Sequence, residues 1–230
     1  MSVEEIRKNC FKKITDKYTI LGIIYSILLI LLIGVVTGVC IEHYSNKKHT
    51  PYSLIIQHKE NILHMEQAKC DLIDEVDKYI HYIAPSSCLN GLTIVEACDE
   101  YDIDVIFVLA QGQIESHYGT RGIASKTNSV FNVHSFDGVS ADQIISSGKG
   151  YKHPDFSVRP YLKLLQDNYL VNGKTERDMF RKFVDKNGHR YASAESYEKQ
   201  LLKTYLKIDS ITNISQYAQE YRKYKIITNQ

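Results

Sequence analysis

A chain of 230 residues with 43% hydrophobic and 24% charged content suits one globular domain plus an appendage, with enough apolar material for a sizeable core. The formal net charge of +1 creates no field that would gather nucleic acid, and the tyrosine-rich, tryptophan-free aromatic set is not laid out as a basic stacking groove, so nucleic acid is not an expected partner. The histidines and cysteines show no metal-ligand spacing, and neither a metal nor another cofactor is expected.

In chain order, residues 1–18 form a basic segment. It is followed by "TILGIIYSILLILLIGVVTGVCI" (Thr19 to Ile41), about 23 residues without a charge, which is long enough to cross a hydrocarbon core. Arg7, Lys8, Lys12, Lys13 and Lys17 precede this run and only Lys47 and Lys48 follow it closely, a bias that keeps the N-terminus in the cytoplasm. The apolar run is too long for a cleaved signal peptide and lacks a small-residue cleavage site. The expectation is a single-pass signal anchor in the cytoplasmic membrane, contacting the lipid bilayer through residues 19–41, with the rest of the chain on the outer side. Residues 42–68 read as a stalk, 69–208 as the compact domain and 209–230 as a polar, amphipathic tail.

Within the compact domain, "DLIDEVDKYIHYI" places Leu72, Ile73, Val76, Ile80 and Ile83 at helical spacing, and Pro85 ends that helix. "TIVE" (Thr93 to Glu96) has the form of a capping box opening a second helix, and Asp102 is placed to cap a third over Ile103 to Tyr118, which Gly119 stops. The segment after Gly119 is rich in Gly, Ser, Thr and Asn, and "SVFNVHSF" alternates like a strand, so a small irregular or β lobe is expected. Helices resume with Ser157 capping "VRPYLKLLQDNYL", Thr175 opening "ERDMFRKFV" and Ser193 opening "AESYEKQLLKTYLKI", the last with Tyr197, Leu201, Leu202, Tyr205 and Ile208 inward. The fold class read from this order is mainly α (α+β), a helical lobe with a small irregular or β lobe. Outside the span, Cys88 and Cys98 could close a short disulfide that leaves Cys70 unpaired; three buried thiols are the alternative.

Glu115 stands in the last turn of the Ile103–Tyr118 segment. A helix C-terminus already presents partial negative charge, so a carboxylate there is disfavoured as an anion, and partial burial acts in the same direction. A carboxyl that keeps its proton near neutral pH suits a general acid that must protonate a leaving-group oxygen, whereas an exposed Glu115 would be an ordinary solvated side chain.

Three blocks, "LAQGQIESHYGTRGIASKTNSVFNV", "YKHPDFSVRPYLKLL" and "RYASAESYEKQLLKTY", resemble in order and spacing the successive motifs of the glucosaminidase family of peptidoglycan hydrolases, flagellar and autolysin enzymes with a lysozyme-like fold. The resemblance covers roughly Leu92 to Ile208. It implies that Glu115 is the catalytic acid, matching the family's "Q-x-x-x-E-(S/T)-x-x-G" helix end. It also implies that Tyr191 of "RYAS" positions the sugar's acetamido group or stabilises charge in the transition state, with a core tyrosine as the alternative, and that Tyr118, Asn128 and Phe131 contact substrate. Ser129 and Asn132 depart from the family's N-N-L-F-G-I-K segment, where a second Asn and a Gly stand. The family often carries a Glu in the β lobe, yet this sequence has none between Gly119 and Ser157; Asp137 is the substitute candidate, with a turn-forming role as its alternative. The implied activity is hydrolysis of peptidoglycan glycan strands as an endo-beta-N-acetylglucosaminidase. A lytic transglycosylase and a non-catalytic wall-binding protein are the competing readings.

Overall fold

The structure, a computed structural model, describes residues 51–133 and 140–229. The apolar run 19–41 and Asp137 both lie outside the described residues. Among the described residues no helix is long and apolar enough to cross a membrane.

Helix α1 (Pro51–Ile83) starts on a proline, whose missing N–H costs nothing in a first turn, and it buries Ala68, Leu72, Val76, Tyr79 and Ile80 along one face. It runs without a break through residue 68, where the sequence suggested that a stalk gives way to the domain. The segment read as a polar tail also packs. It contributes helix α9 (Ile214–Thr228), which lies along α1 with His64 stacked on Tyr224 at 5.2 Å and Ile214 fully buried.

Helix α2 (Gly91–Tyr101) begins earlier than the expected capping box. Its N-cap is Asn90, whose side chain accepts from Leu92 N at 2.8 Å, and Asp77 Oδ1 on α1 accepts from Gly91 N at 2.6 Å. With both donors satisfied from outside, Thr93 sits inside the first turn. Gly91 is required by close approach: a Cβ there would lie 2.9 Å from Asp77 Oδ1 and from the Ile73 carbonyl. Asp102, expected to cap the next helix, instead ends α2 in the left-handed region at φ 50°.

The cap of helix α3 (Val105–Ser116) is Asp104, which accepts from Ile106 N at 2.7 Å and Phe107 N at 3.2 Å. This helix is buried nearly all round, with Ile106, Phe107, Val108, Leu109, Ala110, Gln111 and Gly112 consecutive in the interior. It packs against α2, against α8 (Tyr197–Ile211) and against α9, and so forms the axis of the domain. Its C-terminus turns sharply through three left-handed residues, His117 (φ 49°), Tyr118 (φ 55°) and Gly119 (φ 83°).

Among its described residues the following lobe is irregular with short helices, the first of the two expected alternatives. It contains the short helices α4 (Ala124–Thr127) and α5 (Ala141–Ser146), and the described residues hold no strand beyond one isolated bridge, Val184 with Arg190, elsewhere in the chain. The alternation in "SVFNV" misled because Ser129, Val130 and Phe131 are all buried in succession, while Asn128 (φ 56°) and Asn132 (φ 51°) turn the backbone out of extension on either side. A 3-10 turn (Pro154–Ser157) leads into α6 (Val158–Asn168), whose Val158, Tyr161, Leu162 and Leu165 are buried as the periodicity requires. The Ser157 side chain does not cap α6; it donates to Pro154 O at 2.7 Å and accepts from Val130 N at 3.2 Å. Thr175 and Asp178 form a capping box on α7 (Glu176–Met179). Helix α8 starts at Tyr197 after Ser196, not at Ser193, and buries Tyr197, Leu201 and Ile208 while Leu202 is exposed. Cys88 and Cys98 are not joined in a disulfide, and Cys98 is buried, Cys70 half-buried and Cys88 exposed, so a set of three buried thiols is not present either.

Candidate active site

Glu115 projects from the last full turn of α3 and is half-buried. Its two carboxyl oxygens have different partners. Oε1 accepts a hydrogen bond from the Tyr197 hydroxyl at 2.6 Å, and Oε2 receives a long contact of 3.4 Å from Asn132 Nδ2. Burial pushes the Glu115 carboxyl up from 4.5, and the Tyr197 and Asn132 hydrogen bonds oppose this without cancelling it. The sequence argument for a proton-retaining carboxyl at this helix end thus has a physical cause, which is principally desolvation.

Each neighbour is delivered by a recognisable local device. Ser116 Oγ donates to Val130 O at 2.6 Å and accepts from Gly119 N at 2.7 Å, which ties the 128–133 segment to the end of α3. Asn132, left-handed at the close of that segment, donates to the Glu115 backbone carbonyl at 2.7 Å and so satisfies an acceptor that the helix end leaves free. Tyr197 opens α8, whose N-terminus is fixed because Glu198 accepts from Phe183 N at 3.2 Å and pairs with Arg190 at 2.7 Å. Behind Tyr197 the fully buried Gln111 amide donates to its hydroxyl at 3.4 Å, and the Gln111 carbonyl oxygen accepts from Tyr161.

The other residues expected at the site divide into two groups. Tyr191 is half-buried and close: its ring stacks on Phe183 at 4.5 Å and lies 5.6 Å from Tyr197, and its hydroxyl donates to Phe131 O at 3.2 Å rather than to Glu115. Phe131 stacks on Tyr161 at 3.9 Å and is 1% exposed, so its side chain belongs to the core beneath the site. Tyr118 is likewise 1% exposed, against Gly112 and edge-on to Tyr79, which removes its side chain from substrate. Asn128 caps the end of α4 and donates to Tyr151 O at 2.8 Å. Sequence reasoning assigned Tyr197 to the core and Asn132 to a mild departure; it gave Gln111 only as a motif letter. The available signal was spacing, since Gln111 stands four residues before Glu115 and therefore on the same helix face.

A cavity of about 730 Å³ opens at the opposite end of α3, lined among others by Asp99, Asp104, Tyr205, Tyr221 and Lys225. Three of its charged side chains are engaged: Asp99 accepts from Lys225 and Tyr221, and Asp104 from Tyr205. Glu115 does not line it.

Residues 91–210 match the glucosaminidase family model, described as mannosyl-glycoprotein endo-beta-N-acetylglucosaminidase. The match takes in α2 through almost all of α8, and with them Glu115, Asn132, Tyr191 and Tyr197. The chain belongs to the glucosaminidase family. It is 27% identical over 105 residues to proteins from two strains of Streptococcus pneumoniae, each provisionally named endo-beta-N-acetylglucosaminidase. These alignments span 44% of this chain but only 15% and 14% of the two relatives.

Proposed function

We propose that this chain is a membrane-anchored peptidoglycan hydrolase, an endo-beta-N-acetylglucosaminidase with a lysozyme-like catalytic domain and Glu115 as its general acid. The observation that carries this reading is a half-buried carboxyl with a raised pKa, held by two side chains at the end of the central helix, inside the segment that matches the family. The relatives' names supply the bond type, and the apolar run 19–41 supplies the anchor that would keep the enzyme beside its polymer.

In the first step the Glu115 proton passes to the glycosidic oxygen as the bond from that oxygen to the sugar's C1 breaks; the leaving sugar departs as an alcohol and Glu115 becomes a carboxylate. Among the described residues the hydrogen bonds of its carboxyl run to Tyr197 and Asn132 and to no second carboxylate. In the substrate-assisted course the acetamido oxygen takes the nucleophile's place at C1, after which water opens that intermediate and returns a proton to Glu115, for a net addition of one water. Asp137 is the alternative base on the sequence argument.

The lack of a Glu between Gly119 and Ser157 favours one competing reading, a lytic transglycosylase, in which the muramic hydroxyl attacks in place of water. The test uses the full-length chain purified in detergent against peptidoglycan, with mass spectrometry of the products. Hydrated reducing-end N-acetylglucosamine is expected, and anhydromuramic ends would overturn the hydrolase assignment. Protease treatment of intact cells should remove residues beyond 41 and spare the N-terminus; protection of both sides would remove the anchor from the proposal.

A further inference from the structure

The bonds around Glu115 form a directed chain. The Tyr161 hydroxyl donates to the Gln111 carbonyl oxygen. The other end of the same amide, Nε2, donates to the Tyr197 hydroxyl at 3.4 Å. With a donor already at its oxygen, Tyr197 aims its own proton at Glu115 Oε1. On the other side Asn132 is oriented just as firmly, because Nδ2 faces the Glu115 backbone carbonyl, an acceptor that its Oδ1 could not approach. Oε1 is thus held by a short bond to a phenol, while Oε2 has only the long amide contact.

We propose that Tyr197 and Asn132 are positioning residues that clamp the Glu115 carboxyl, with Tyr197 occupying Oε1 so that the transferable proton resides on Oε2. The inference rests on the reading of Glu115 as the acid. A carbonyl-type oxygen accepts the strong bond, and the hydroxyl-type oxygen is left for the glycosidic oxygen of the substrate. Asn132 is this chain's own device: a glycine, which stands at this place in the family motif it resembles, would supply the left-handed backbone but no amide. Among the described residues the titratable groups that act on Glu115 are the phenols of Tyr161, Tyr191 and Tyr197, all pushed well up by burial and therefore neutral.

The experiment compares wild type, Tyr197→Phe and Asn132→Gly in the full-length detergent-solubilised chain. It uses two readouts, the pH profile of kcat/KM on peptidoglycan and the titration of Glu115 by carboxyl-carbon NMR with labelled glutamate, assigned through Glu115→Gln. Both hydrogen bonds favour the anion, so removing either raises the pKa and moves the alkaline limb to higher pH. Tyr197→Phe should lower kcat about tenfold with KM little changed, the loss of one bond to a charged group. Asn132→Gly, which keeps the left-handed backbone, should move the same limb by less. A limb and a titration unmoved in both variants would overturn the clamp. If wild type fails to cleave, or Glu115→Gln cleaves equally well, the functional reading fails, while the titration still decides whether the two side chains hold the carboxyl.

Discussion

Helix α3 carries a carboxylate at each end, and the two are treated in opposite ways. Asp104 stands at the N-terminus, where the helix presents free N–H groups and partial positive charge; it accepts from Ile106 N, Phe107 N and the Tyr205 hydroxyl, and its own N–H donates to Glu176 Oε1 at 2.9 Å. Glu115 stands about 16 Å away at the other end, where the free groups are carbonyls and the field has the opposite sign. Its donors are side chains only, one of them distant, and burial outweighs them. Backbone donors tie Asp104 into the fold, whereas burial raises the pKa of Glu115 above its ordinary value. Substitution at one end should therefore cost stability and at the other activity.

The strongest way to break this contrast is Glu115→Gln. The amide keeps the shape and cannot transfer a proton, so turnover of peptidoglycan should fall by about 10³-fold or more, with the melting transition preserved. A variant that retains turnover, or that fails to fold, would make Glu115 no different in kind from Asp104. The complementary change, Asp104→Ala, removes the cap and the Tyr205 acceptor together, and about 1–2 kcal/mol of stability should be lost in denaturant unfolding. The pH profile of the folded fraction's activity should stay where it is; a shifted profile would mean that the two ends of α3 are coupled.

The contrast also shows what could be read from the sequence. The helix, its approximate ends and the oddity of an acid in its last turn were legible, because periodicity and the C-terminal field are local properties. Which aspartate caps it was not: the sequence reading chose Asp102, whereas Asp102 ends α2 in a left-handed turn and Asp104 is the cap. The partners of Glu115 were out of reach for the same reason. Tyr197 arrives from 82 residues away and Asn132 through a turn set by two left-handed asparagines, so neither follows from spacing. Phe131 and Tyr118 were placed at substrate because motif membership does not distinguish a side chain that touches the sugar from one that supports the residues that do. Of the two alternatives for the lobe after Gly119 the described residues take the irregular one, because consecutive burial of Ser129, Val130 and Phe131 overrides the short alternation.

The smallest effect, and the most specific to the raised carboxyl, is a pH dependence of stability. The folded state binds the Glu115 proton more tightly than the unfolded chain does, since burial raises the folded pKa above 4.5. At pH well below 4.5 both states are protonated and the group contributes no difference. As pH rises through that value the unfolded chain ionises first, so the folded state loses relative stability until the folded carboxyl ionises too, and the deficit is constant beyond that point. Glu115→Gln removes this titration and leaves the rest of the protein's pH dependence in place. The melting temperature of the variant minus that of wild type should therefore increase from acid to neutral pH, with the whole change between 4.5 and the folded pKa. A difference that stays flat across this range would show a carboxyl that titrates alike in both states, and with it the distinction between the two ends of α3 would lose its electrostatic basis.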